Sequence, residues 1–202
     1  PAPGPARGFL RVAPGRFDFG VRHDRTTVFV LPERGASDGR HLTGATAVTS
    51  LWVGADALRI DSTDTAFTHE YVHTRLGNVG AASESARWLT EGSAEYFGRV
   101  FALNYGAGSY AAFREGVRSE RYAPNRTAVT LSEPASWEGT LADYGKGAHV
   151  LAALDAEIRA RTDGRHTLAD VFAARRGPYE SHAAFRRSVV EVTGAPGLAD
   201  WL

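Results

Sequence analysis

His69-Glu70-Tyr71-Val72-His73 narrows what this 202-residue chain can fold into more than any other stretch. If the segment is helical, residues four apart stand one above the other on the same face, so the two imidazoles project together. Both can then bind one metal ion through a ring nitrogen at about 2.0–2.1 Å. Glu70 follows the first histidine, so its carboxylate falls beside such an ion without having to ligate it. From there it can take a proton from zinc-bound water.

The surrounding pattern supports a helix there. Asp61, Ser62, Thr63 and Asp64 offer N-cap side chains ahead of it, and Gly77-Asn78 offers a stop. Calcium ligation is a conceivable role for Asp61 and Asp64, but capping accounts for them. Before residue 61 the chain reads differently. Runs at 16–21, 26–31 and 47–53 are rich in Val, Phe and Thr and predict short strands, with a turn-rich surface loop at 32–40. Beyond it the periodicity predicts helices at about 85–104, 109–119, 144–164, 168–174 and 181–192, with an irregular stretch at 121–142. Val150, Leu151, Leu154 and Ile158 form one apolar face.

A small sheet followed by a helical region predicts an α+β fold. The expected organisation is an extended segment at 1–15, opened by Pro1-Ala2-Pro3-Gly4-Pro5, and a single domain at 16–202. Within that domain a sheet lobe would cover about 16–60 and a helical lobe about 61–202.

Two histidines leave a catalytic zinc site one protein ligand short. The best candidate is Glu91, in Trp88-Leu89-Thr90-Glu91-Gly92-Ser93-Ala94-Glu95-Tyr96. It lies far enough along the chain for one helix to finish and a second to return across it, and Gly92 would let the two approach closely. Glu95, one turn beyond Glu91, is a candidate to accept the second ring N–H of His69 and so fix its tautomer.

Composition closes off other classes. Charged residues balance at 23 against 23, which argues against a nucleic-acid surface. No apolar run approaches the roughly 20 residues of a membrane span. Without cysteine there is neither a disulfide framework nor a thiolate metal site. A start at Pro1 rather than Met is expected of a processed chain and leans towards a secreted or extracytoplasmic location.

The HExxH segment with Trp88-Leu89 and Glu91-Gly92 resembles the gluzincins, zinc peptidases whose third ligand is a Glu. The C-terminal two thirds is most similar to the glycyl aminopeptidase family. That likeness rests on Glu91-Gly92, Ser132-Glu133-Pro134 with Trp137, and Tyr144-Gly145-Lys146-Gly147-Ala148. It continues in Leu154-Asp155-Ala156-Glu157-Ile158-Arg159 and Thr167-Leu168-Ala169-Asp170-Val171-Phe172. The resemblance implies a thermolysin-like catalytic domain binding one Zn2+ through His69, His73 and Glu91, with peptide or protein as substrate. It puts Tyr144 in the family's catalytic tyrosine position, where a phenol O–H stabilises the oxyanion formed by water attack. Lys146 and His149 read as structural neighbours.

An aminopeptidase also needs an anion for the substrate's α-amino group. Asp56 is the local candidate, although a turn aspartate is its simpler reading. Aminopeptidase and endopeptidase therefore both remain open. A zinc-stabilised binding domain without turnover is the alternative from another class.

Overall fold

The structure, a computed structural model, describes residues 4–16, 20–32, 44–58, 60–63, 66–76, 82–118 and 128–202. Among them are eight helices and a three-stranded sheet, an α+β composition. The chain divides into two units, Pro1–Gly77 with Phe97–Gly116, and Asn78–Tyr96 with Val117–Leu202. The expected sheet and helical lobes meet at about residue 60, within the first of these units. The histidine helix and part of the next fall in the same unit as the sheet.

In the first unit the strands are β1 (Thr27–Leu31), β2 (Gly44–Ala47) and β3 (Ser50–Gly54), in the order β1-β3-β2. β1 runs parallel to β3, with Phe29 beside Trp52, and β2 runs antiparallel to it, with Thr46 beside Leu51. The expected single strand at 47–53 is thus a hairpin. Val48 takes a left-handed φ of 52° at its tip and is 79% exposed. The expected strand at 16–21 is absent from its described part. Arg16 ends a helix, Gly20 has φ 73°, and the Val21 amide donates to the Arg75 carbonyl at 2.6 Å.

Three helices complete this part with α1 (Gly4–Arg16), α2 (Ala66–Leu76) and the end of α3 (Arg87–Tyr105). Over residues 4–15, α1 takes the place of the expected extended segment, whose first three residues lie outside the described ones. Pro5 falls in the first turn, where a missing N–H costs nothing. Tertiary packing then decides: Phe9 meets Phe67, Tyr71 and Tyr105 edge-on at ring separations of 5.3–5.7 Å. α2 is buried on nearly every side, with Phe67, Tyr71, Val72 and Leu76 in the core and Leu51 and Val53 of the sheet fully covered. A helix with so little exposed face is held by its surroundings rather than by propensity. Of its expected caps, Asp64, Gly77 and Asn78 lie outside the described residues, as does 33–40 of the expected loop. α4 (Tyr110–Arg118) follows α3 closely, as its periodicity predicts.

The second unit contains the start of α3, α5 (Ala142–Arg161), α6 (Leu168–Ala174), α7 (His182–Thr193) and α8 (Gly197–Trp201). Leu151, Leu154 and Ile158 of the apolar face of α5 are fully buried, as their spacing requires. They share this unit with a core of Trp88, Phe172, Tyr179 and Phe185, in which Trp88 and Tyr179 each meet Phe185 edge-on. Asp155 fastens three elements: it accepts from the Leu168 amide at 2.6 Å, from the Tyr96 hydroxyl at 2.8 Å and from Arg159 at 3.0 Å. A Thr167–Asp170 capping box starts α6, and Ser181 caps α7. α8 has no counterpart in the sequence expectations. The irregular region keeps its predicted character over 128–141, with one short turn at Pro134–Ser136.

Candidate metal centre

His69 and His73 stand one turn apart on α2, and their rings meet edge-on with centroids 4.7 Å apart. The two Nε2 atoms are 3.0 Å apart. Two nitrogens at about 2.05 Å from one tetrahedral ion would be separated by about 3.3 Å, so a shift of a few tenths of an ångström fits both to an ion. Glu91 on α3 completes the group: one ligand atom from each of His69, His73 and Glu91 lies within 4.8 Å of the others. His69 is buried and the other two are half-buried. Two imidazoles and a carboxylate form a donor set suited to zinc and other borderline divalent ions. The residues present therefore fit a metal.

Close helix packing brings these residues into range. A Cβ at Gly98 would lie 3.1 Å from the His69 amide nitrogen, so α3 runs directly against the backbone of α2 there. Glu91 lies two turns earlier along the same helix. On its other side, α3 meets α5 at Gly92 and Gly147. A Cβ on Gly92 would stand 2.7 Å from the Gly147 carbonyl carbon and 2.8 Å from its Cα. Only paired glycines permit that approach.

This crossing sets the surroundings of Glu91. Tyr144, in the first turn of α5, donates its phenol to the Glu91 carboxylate. Burial first, and then the Glu91 charge, push the ionisation of that phenol far above its ordinary value. One turn back along α3, Arg87 reaches the fully buried Asp143 at 3.1 Å. Burial raises the carboxyl of Asp143 above the usual range, and the Arg87 charge pulls it back in part. Arg87 also lies over the Trp137 ring at 5.8 Å. Two polar contacts and a glycine pair thus join α3 to α5 at successive turns. A cavity of about 450 Å³ opens here, lined by Ser83, Glu84, Arg87, Thr90 and Glu91.

Glu70 is held from the sheet side. Its carboxylate accepts from the Thr46 hydroxyl at 2.7 Å, and its backbone carbonyl lies 2.9 Å from the same oxygen. A Cβ on Gly44 would come within 2.5–2.9 Å of three side-chain atoms of Glu70, so any larger residue there would displace that carboxylate. Neither Gly44 nor Thr46 is singled out by sequence reasoning. Their one local signal is a short Gly-Ala-Thr-Ala run, which carries no motif.

The remaining expectations divide. Glu95 shares a helix face with Glu91, one turn further along α3. Lys146 donates to the Val129 carbonyl and ties down the segment before α5, and burial lowers its pKa. His149 is half-buried on α5. Asp56 is exposed in the turn after β3 and folds back over Gly54. β3 is paired on both sides, and β2 is the outer strand beside Glu70. No helix among the described residues is long and apolar enough to cross a membrane. Comparison of the chain with family models and with curated proteins gives no match.

Proposed function

We propose that this chain is a zinc-dependent peptidase of gluzincin type with a thermolysin-like arrangement. One observation carries the reading: His69, His73 and Glu91 converge within 4.8 Å while Glu70, which is not needed as a ligand, is held next to them in sequence and fixed by Thr46. A pure metal-binding module has no use for a carboxylate positioned in that way. When bound, the metal would polarise the scissile carbonyl and lower the pKa of a water.

The chain's own residues do the rest. Glu70 takes a proton from the attacking water and delivers it to the leaving amine. Thr46 occupies one of its oxygens and leaves the other for that transfer. Tyr144 turns its phenol from Glu91 to the oxygen that gains charge, and burial keeps the phenol protonated for the task. β2, the outer strand beside Glu70, aligns an extended peptide by backbone hydrogen bonds.

Glu70→Gln tests the reading. The variant should retain one zinc per chain by metal analysis and lose turnover of a mixed peptide library by at least about 10²-fold. Activity near that of the parent would exclude the base role. Metal without cleavage in the parent would favour a binding module. Blocking the substrate α-amine separates the two peptidase types, because an aminopeptidase stops and an endopeptidase continues.

A further inference from the structure

The cavity beside Glu91 is built from one short stretch of chain. A single turn at Glu84–Ala86 runs directly into α3, and Ser83 stands at its start. Glu84, Arg87 and Glu91, three and then four residues apart, share one face of this run and line the cavity together. Its volume of about 450 Å³ is that of a pocket that takes a ligand group.

The charges on that face are not equally committed. Arg87 lies between two carboxylates. Asp143 is fully buried, with Oδ2 3.1 Å from Nη2 of Arg87. A buried carboxylate stripped of its cation is strongly destabilising, so Arg87 stays with Asp143. Glu84 is 3.8 Å from Nη1 of the same arginine, and its side chain is 76% exposed. A contact that long and that wet is worth little and is readily given up. Glu91 is assigned to the metal. One arginine facing Asp143 and Glu84 leaves one negative charge over, and it resides on Glu84. Next to it, the Ser83 hydroxyl donates to the Glu180 carbonyl at 2.8 Å and keeps a lone pair for a further donor.

Distance decides which cation suits this carboxylate. Seven residues separate Glu84 from Glu91, which sets their Cα atoms about 10–12 Å apart along the axis. A free α-amino nitrogen lies only about 2.5 Å from its own carbonyl carbon, so an amine held near the metal falls well short of Glu84. An extended lysine side chain carries its ammonium about 6 Å beyond Cα, and an arginine reaches further. A long basic side chain spans the gap.

Resting on the peptidase reading above, we propose that this cavity receives a lysine or arginine side chain from a residue flanking the scissile bond, whose N–H groups donate to the Glu84 carboxylate. Glu84 is then a specificity-determining residue, and the substrates are peptides with a basic residue at the point of cleavage.

Paired peptides that differ only in lysine or norleucine beside the bond test this, with kcat/KM measured at saturating zinc. The lysine peptide should be preferred about 5-fold or more, the worth of a partly exposed ion pair. Glu84→Gln, with unchanged circular dichroism, should bring that ratio close to one, and Glu84→Lys should turn the preference to glutamate peptides. A parent ratio near one, a preference that survives Glu84→Gln, or a parent preference for glutamate would each overturn the proposal. Binding supplies a readout independent of turnover. N-acetyl-lysine amide should bind the zinc-loaded protein about 5-fold more tightly than N-acetyl-norleucine amide in an NMR titration, and Glu84→Gln should cancel the difference. If no peptide is cut yet this difference is found, the peptidase reading fails and the cation pocket stands. Equal binding of the two amides overturns the pocket whatever the turnover.

Discussion

Adding one methyl group where α3 meets α5 is the sharpest perturbation of the arrangement around Glu91. In Gly92→Ala the new Cβ would lie 2.7 Å and 2.8 Å from backbone atoms of Gly147 and 3.1 Å from the Ala148 nitrogen. Ordinary carbon contacts begin near 3.5 Å, so α5 must retreat by about 0.8 Å. Backbone cannot rotate aside as a flexible side chain can. Two terms oppose each other. Ala in place of Gly favours the helical state by about 1 kcal/mol. Overpacking a close contact costs about 1–3 kcal/mol, and the upper end applies because the obstacle is main chain. Net destabilisation should therefore be about 1–2 kcal/mol. In a chain of this size each kcal/mol moves the melting temperature by about 2–4 °C.

The site should suffer more than the stability. Retreat of α5 carries Tyr144, one turn from Gly147, away from Glu91. In the proposed peptidase, hydrolysis should therefore fall by about 10-fold or more, since small misplacements of a group aimed at the oxyanion are costly. The assay is thermal unfolding together with peptide turnover at saturating zinc. A Gly92→Ala protein that melts at or above the parent temperature and cleaves normally would refute the close-approach argument.

Three further predictions follow from the geometry. Thr46→Val removes the hydroxyl that holds Glu70, and should lower the kcat of the proposed peptidase several-fold with zinc content intact, because only the aim of the proposed base is lost. Saturation with zinc at about 100 times its dissociation constant should stabilise the fold by about 2.7 kcal/mol, and His73→Ala should abolish that gain in a chelator titration followed by melting. His182 supplies a pH signature: burial lowers its pKa, outweighing the hydrogen bond to the Leu202 carbonyl, with Arg186 adding to the fall. The unfolded chain then binds a proton that the folded one refuses. Stability should decline as pH drops below about 6.5, until the folded pKa is passed, and His182→Gln should flatten that part of the melting profile.

What could be read from the sequence was local chemistry at fixed spacing. His69 and His73 are one turn apart in any helix, and the buried face of α5 follows from Leu151, Leu154 and Ile158 in the same way. The misses share one physical origin, contacts between residues distant in sequence. α1 begins with prolines that suggest extended chain, and Phe9 earns its helix by packing on Phe67 and Tyr71. The β2–β3 hairpin turns at Val48-Thr49, residues without turn chemistry, so nothing local marks it. Gly44 and Thr46 matter only because the sheet crosses Glu70.

His73 occupies the last turn of α2, which in most helices is the first to fray. Here the terminal carbonyls are already claimed: Thr74 by the His23 ring at 2.6 Å and Arg75 by the Val21 amide at 2.6 Å. Residues 21–23 act as a clasp on the helix end. A histidine so close to the end of its helix can therefore keep a constant spacing to His69.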